Sequence, residues 1–419
     1  SLSFSVVGTS KSNNFVGSEV KVTHTTRNLF RSAEQLDISA SGGFETQTKG
    51  TSLGKNSLSL TTDAKLTFPR FIVPFYKPRS TTAFIPKTIA LLSYQMLNRG
   101  GEYTLNAFKG EFGYNFKENQ YKEHNLNPVS ISFITTGFPT DTTEQYLYKK
   151  NPLLRTTLEK QFIIGSNYNF TYTNQMETNR RNNTYFFGGI ETGGNVWGLF
   201  ASKNEAGKRT LFNTAINQFV RLEADLRDYY KITRNLTWAN RFNVGYGYAY
   251  GNSNTLPFIR QFFAGGSSDI RAFPARSLGP GTYKVRDDAI FADQGGDIKL
   301  MLNSELRFKL VSVLYGALFV DAGNIWLRKE DLGIPGTPDT GRPGSEFKLK
   351  NVLNEIAVGT GAGLRVDATI LVVRLDVAFP VRKPYLPSGQ RWVFDDISFG
   401  SKDWRRENLI FNIGIGYPF

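Results

Sequence analysis

The sequence of 419 residues contains no cysteine, only two histidines and only three methionines. Without cysteine there is no disulfide, no thiol nucleophile and no thiolate metal site. The two histidines, His24 and His124, lie far apart and lack ligand spacing. No run approaches the roughly 18 uninterrupted apolar residues of a membrane helix, so a helical membrane protein is excluded. Gly207-Lys208-Arg209 is no phosphate loop, because neither Ser nor Thr follows the lysine. Gly359, Gly361 and Gly363 sit inside GTGAGLRV, a strand-like stretch, where close packing explains them better than dinucleotide binding. Asp287, Asp288 and Asp293 could hold calcium loosely, but acids of a flexible loop are the preferred reading. The expectation is a protein without cofactor or metal that is not an enzyme; a histidine-based membrane phospholipase or protease stays open on the sequence.

What is present is aromatic and polar at once. Phe, Tyr and Trp number 34, 19 and 5, yet mean hydropathy is -0.31. That pairing suits a β-barrel with aromatic girdles and a polar interior. Forty glycines fit strands that pack closely or bend to close a wall. The net charge of +14 admits anionic lipid, acidic proteins or nucleic acid as partners. The basic residues are spread along the chain, with no basic helix or RNA-binding signature, so solvated lumen and loop charge is favoured and nucleic acid is not expected.

The last twelve residues, Asn408 to Phe419, carry the clearest pattern. Leu409, Phe411, Ile413, Ile415, Tyr417 and Phe419 fall on one face of an extended strand. Asn408, Asn412, Gly414, Gly416 and Pro418 fall on the other, with Ile410 the exception. Such a strand can lie between lipid and a wet interior, although a half-buried strand of a soluble sandwich has the same period. Similar alternation recurs upstream. Ile298, Leu300, Leu302, Leu306 and Phe308 oppose Asp297, Lys299, Asn303, Glu305, Arg307 and Lys309. Leu371, Val373, Leu375, Val377, Phe379 and Val381 oppose Arg374 and Asp376. Ile216, Val220, Leu222, Ala224 and Leu226 oppose Asn217, Arg221, Glu223, Asp225 and Arg227.

Counting such segments gives about sixteen strands, an even number as in bacterial outer-membrane barrels. Short links near Tyr230 to Arg234, Leu310 and Ala368 alternate with long ones at 252–294, 328–353 and 382–407. Residues 71–86 are an exception, a longish connection where the count expects a turn, and 141–161 is expected to carry a short helix within an outer loop. No domain boundary appears, so the fold expected is all-β: one transmembrane antiparallel barrel over residues 1–419. No signal peptide precedes Ser1, which already enters a strand-like stretch. The expectation is a processed or truncated chain.

Four segments, in order, resemble the BamA/TamA superfamily of outer-membrane assembly barrels: GGSSDIRAFPARSLGPG (265–281), GGDIKLMLNSELRFKL (295–310), FVDAGNIW (319–326) and the terminal strand. The resemblance is closest over 255–419; upstream it rests on strand rhythm and on RNLFRSAEQL (27–36), similar to the family's hairpin between second and third strands. It implies that the long loop, about 252–294, folds back into the lumen. Its Arg-Gly-aromatic tip reads here Arg271-Ala272-Phe273, with alanine, which resists positive φ, in place of glycine. It also implies that Arg271 meets acids of the inner wall, with Glu305 and Asp321 at the matching places. Face parity independently puts Glu305 on the polar face, and Asp321 opposite Leu314, Leu318 and Val320. The two acids are a few residues out of register, which leaves contact with both open.

Asn412, Gly414, Tyr417 and Phe419 fit the polar-x-Gly-x-x-aromatic-x-aromatic signal that the resemblance associates with assembly substrates and with the family itself. Pro418 has no N–H and belongs at an edge. The reading expects a weak seam between the first strand (near Leu2 to Thr9) and the last, opening sideways; the alternative is that Pro418 simply ends the pairing. The implied function is insertion and folding of client outer-membrane proteins in the outer membrane of a Gram-negative bacterium. A two-partner secretion pore and a passive porin are the alternatives. Expected partners are outer-membrane lipid including lipopolysaccharide, client proteins, and accessory subunits reached through POTRA domains before Ser1. SLGP (277–280) and the lack of further domains lean toward the TamA-like branch.

Overall fold

The two-residue alternation is realised as sixteen strands of one antiparallel sheet. They are β1 (Leu2–Ser10), β2 (Phe15–Arg27), β3 (Gln35–Gln47), β4 (Asn56–Phe68), β5 (Lys87–Arg99), β6 (Tyr103–Lys117), β7 (Lys122–Gly137), β8 (Gln161–Thr173), β9 (Asn182–Gly193), β10 (Gln218–Thr233), β11 (Leu236–Tyr250), β12 (Ile298–Val311), β13 (Leu314–Trp326), β14 (Ala357–Asp367), β15 (Val372–Arg382) and β16 (Ile410–Ile415). The computed structural model describes the chain except residues 11–14, 48–55, 74–83, 101, 151–157, 159, 178, 197, 199–201, 205–206, 208, 212–213, 253, 285–293, 334–340 and 368–371. Neighbours in the sheet follow chain order, and among the described residues no ladder joins β1 to β16.

The faces separate as a membrane barrel requires. On β12, Leu302 and Leu306 stand 46% and 39% exposed, whereas Asn303 and Glu305 are buried. On β13, Leu318 and Val320 are exposed while Phe319 and Asp321 are buried. On β15, Val373, Leu375 and Val377 are exposed and Arg374 and Asp376 buried. A sandwich in water would turn its charged face outward; here the outer face is the apolar one, as a lipid-facing wall needs. No described helix is long and apolar enough to cross a membrane.

Connections alternate as expected in the second half of the chain. Residues 234–235 and 312–313 suffice for β10–β11 and β12–β13, whereas 251–297, 327–356 and 383–409 are long. The link between β4 and β5, on the side of the short turns, spans 69–86. In 141–161 the helix is α1 (Asp141–Lys150), with Asp141 and Glu144 in its first turn, where the helix dipole favours negative charge. Ile216 is not a wall residue: β10 begins two residues later, and Ile216 packs fully buried with Phe162 and Ile164.

The largest departure is at the carboxyl end. Residues 408–419 read as one strand, but Asn408 closes a helix, α2 (Lys402–Asn408), and the strand runs only from Ile410 to Ile415. Gly416 then adopts φ +81°, open to glycine and costly for other residues. That turn sends the last residues inward: the Arg307 guanidinium on the inner wall lies 4.5 Å from the Tyr417 ring and 5.3 Å from the Phe419 ring. Phe419 is buried, so it does not share the lipid face with Phe411 and Ile413.

Inside the barrel the main apolar core lies between the 251–297 loop and the wall. Leu256, Phe262, Ile270, Ala272, Phe273 and Leu278 of the loop meet Phe219, Met301, Phe319, Ile325, Ala357 and Ala378. Burying a side chain such as Phe273 contributes about 1.5–3 kcal/mol, so the loop is a packed part of the interior.

Candidate functional site

The base of the loop is anchored by Asp297, whose carboxylate accepts hydrogen bonds from the Leu256 and Arg328 N–H groups at 2.8 and 3.2 Å. Phe262–Phe263 pairs with Gly295–Gly296 beside it. From this base the chain reaches down to a tip at Ser268–Phe273, which touches the inner wall from β11 to β16.

Arg271 is the centre of the tip and is fully buried. Its Nε and Nη2 donate to Asp321 of β13 at 2.8 and 2.9 Å, and its backbone N–H to the same carboxylate at 3.1 Å. Its Nη1 donates to Glu305 of β12 at 2.5 Å. The planar guanidinium thus spans both acids, which resolves the register question: cross-strand pairing sets Asn303 opposite Asp321 and Phe319 opposite Glu305, and the fork bridges that offset. The guanidinium also lies on the Phe319 ring, 3.4 Å from its centre. Burial disfavours its charge, but the Asp321, Glu305 and Asp376 carboxylates outweigh that and hold Arg271 above its ordinary pKa.

The cluster extends beyond the three residues read from the sequence. Arg365 of β14 bridges Glu305 and Asp376 at 3.3 and 2.6 Å, Arg307 donates to Glu305 at 2.8 Å, and Arg374 lies 3.5 Å from Asp376. Asn303 donates to Asp321 and to the Asp269 carbonyl. Lys299 binds the Asp269 carboxylate at 2.6 Å; burial nonetheless pushes that carboxyl up, with Lys299 opposing. Arg374 and Asp376 were visible as inward residues from their period, but nothing in the sequence joined them to Arg271.

The glycines of β14 make room for this arrangement. A Cβ at Gly359 would stand 2.2 Å from the Ala272 methyl, and one at Gly361 2.6 Å from the Phe319 ring. The alanine that replaces the tip glycine therefore sits against a glycine on the wall. Ala272 is not among the residues at positive φ, so the expected backbone conflict does not arise. Phe273 is buried in the core beside it.

The terminal residues divide. Asn412 lies on the inner face of β16 and donates to the Arg271 carbonyl at 3.0 Å. Gly414 lies beneath the Arg374 guanidinium. Tyr417 and Phe419 engage Arg307, which also donates to the Phe419 carbonyl at 3.2 Å. Pro418 lies beyond the β15–β16 ladder, which ends at Val373–Ile415. A missing N–H there removes no bond of that ladder; the seam toward β1 lies on the other edge of β16.

His24 on β2 and His124 on β7 are separated by four strands. His124 is tied to Tyr168 and Glu118 and stacked on Phe116, an aromatic cluster of the wall. Asp287, Asp288 and Asp293 lie outside the described residues.

Comparison with known proteins agrees with this architecture. The model of the Omp85 superfamily domain matches residues 28–419, and the chain belongs to that superfamily. It is 24% identical over 229 residues to the outer membrane protein assembly factor BamA of Neisseria meningitidis serogroup B, a match covering 50% of this chain and 28% of the relative's length. Among solved structures, BamA from Haemophilus ducreyi lacking POTRA domains 1–3 superposes with TM-score 0.60 at 15% identity, covering 91% of this chain and 67% of that one. CdiB from Acinetobacter baumannii superposes with TM-score 0.52 at 11% identity, covering 99% and 59%. Neither these relatives nor the family model singles out the TamA-like branch. The chain is a bacterial outer-membrane barrel of a family concerned with outer-membrane protein assembly and translocation.

Proposed function

We propose that this Omp85 barrel helps other outer-membrane proteins insert and fold, by non-covalent means and without a cofactor. The observation that carries the reading is the state of its edges. β1 and β16 end the sheet with no ladder between them among the described residues, and β16 pairs with β15 through only six residues. An unpaired strand edge is a template for another strand, and an incoming client strand can add to it by backbone hydrogen bonding. Client folding itself supplies the driving force, since no nucleotide is available outside the inner membrane. Accessory subunits and lipopolysaccharide join the clients as proposed partners, through domains preceding this barrel and through its outer surface.

A passive porin fits less well, because the described part of the 251–297 loop is packed against the inner wall rather than left free. The reading is tested by assembly of other outer-membrane proteins in cells whose full-length protein carries Arg271→Glu, with folding of the mutant barrel checked. Lost client assembly with an intact barrel is the expected result. Normal assembly would turn the reading toward a conduit for one exported protein.

A further inference from the structure

We infer that Asn412 is a positioning residue that couples the loop tip to the seam, so that the state of Arg271 sets how firmly β16 is held. The sequence places Asn412 in a terminal signal, read by other proteins. The structure gives it a partner within its own chain.

Among the described residues β16 has a strand neighbour on one side only, and its inner face carries three ties to the loop-tip network. The first is direct: the buried Asn412 amide donates to the Arg271 carbonyl at 3.0 Å, across 141 residues of sequence. The second passes over Gly414, where a Cβ would come within 2.5 Å of Arg374 Nε; the absence of a side chain lets Arg374 lie flat and donate to Ser268 Oγ at 3.0 Å. The third is the inward turn after Gly416, where Arg307 holds the Phe419 carbonyl while its Nε donates to Glu305, the acid that also binds Arg271.

The direct tie depends on the lock in a specific way. The Arg271 backbone is fixed because its N–H and its guanidinium both bind Asp321. The carbonyl that Asn412 uses belongs to this same residue. Release of the guanidinium frees the carbonyl, and the last strand loses an inner attachment without any change in its ladder. An amide suits the position because it presents a donor to a carbonyl without adding charge beside the crowded guanidiniums.

This coupling rests on the proposed opening of the seam, and it is tested without any client, so the two can fail separately. This chain has no cysteine, and Phe4 of β1 and Ile413 of β16 both point outward, 67% and 56% exposed. Spin labels at Phe4→Cys and Ile413→Cys in the full-length protein, reconstituted in lipid nanodiscs, report the seam by pulsed electron paramagnetic resonance. Asn412→Ala is expected to raise the population in which β16 is displaced from its place beside the loop tip about five-fold, as loss of one hydrogen bond allows. Arg271→Ala should raise it at least as much, and the double variant no further than Arg271→Ala alone, because both act through one contact. Where Asn412→Ala does not give a folded barrel, Asn412→Ser replaces it; its hydroxyl is too short to reach the carbonyl, and the same rise is expected. An unchanged distance distribution in a folded Asn412 variant would overturn the inference. So would effects of Asn412→Ala and Arg271→Ala that simply add, the result for a merely structural side chain.

Discussion

Replacing Gly359 by alanine should undock the loop tip, and replacing Ala272 by glycine should restore it. The Cβ created at 359 would stand 2.2 Å from the Ala272 methyl, where ordinary contact begins near 3.4 Å. The tip must therefore retreat by about 1.2 Å, since the wall on that side is held by ladders to both neighbours and close packing leaves no free volume. Such a shift takes the Arg271 bonds to Asp321, now 2.8 and 2.9 Å, beyond hydrogen-bonding distance. The overpacking alone costs about 1–3 kcal/mol, and separating a buried arginine from a carboxylate partner about 3–5 kcal/mol more. With glycine at 272, the nearest other atoms to the new Cβ are the 272 Cα and the Phe379 carbonyl, both 3.5 Å away and harmless. The assay is limited trypsin digestion of folded barrels, with mass spectrometry reporting cleavage after Arg271, a bond buried in the native protein. Gly359→Ala should be cut there readily, and the Gly359→Ala, Ala272→Gly double variant should resist as the parent does. A protected Gly359→Ala barrel, or a double variant cut like the single, would refute the steric argument.

Three further outcomes follow from neighbouring contacts. Asp321→Ala should release the tip more than Asp376→Ala, since Arg271 makes three hydrogen bonds to Asp321 but approaches Asp376 only to 4.0 Å; trypsin cleavage at Arg271 ranks the two. Trp326→Phe removes the 2.6 Å bond from the indole N–H to Glu355 and leaves a buried carboxylate short of a donor. A loss of about 1–3 kcal/mol is expected, read as a lower unfolding temperature in detergent. Pro418→Ala should leave client assembly and seam distances unchanged, because that residue lies outside the ladder; slowed assembly would show that the tail has a role of its own.

Much of the wall was legible because the side-chain period of a strand is a local property. The sorting of Leu302 and Leu306 from Asn303 and Glu305 needs only the two-residue alternation. The motif resemblance singled out Arg271, Glu305 and Asp321, and parity placed the acids on the inner face. What parity lacks is register between strands distant in sequence, and so it does not bring Arg365, Arg374 and Asp376 to the same cluster. The glycines of β14 were rightly attributed to close packing, but that the close neighbour at Gly359 is Ala272 depends on how the loop docks. The tail misled for a different reason. Alternation continues formally through Gly416, and only a positive φ at that one glycine turns Tyr417 and Phe419 from the lipid side to Arg307.

The lock is built from charge, and the energetics suggest why. Taking Arg271, Arg365 and Arg374 out of water with Glu305, Asp321 and Asp376 is expensive, and a well-packed apolar cluster would hold the loop as strongly. An apolar tip, however, can slide by a fraction of a turn at little cost, whereas a guanidinium fork bound to two carboxylates on adjacent strands has one position. Body and tip of the loop thus do different work: Leu256, Phe262 and Leu278 hold it in the lumen by burial, and Arg271 fixes where its end lies. The β15–β16 ladder pairs only six residues, and each hydrogen bond in it contributes about 1 kcal/mol net. One or two inner ties are then a sizeable share of what holds β16 in place. A tip released from its acids can loosen that strand while the apolar body keeps the loop docked, which separates opening of the seam from unfolding of the barrel.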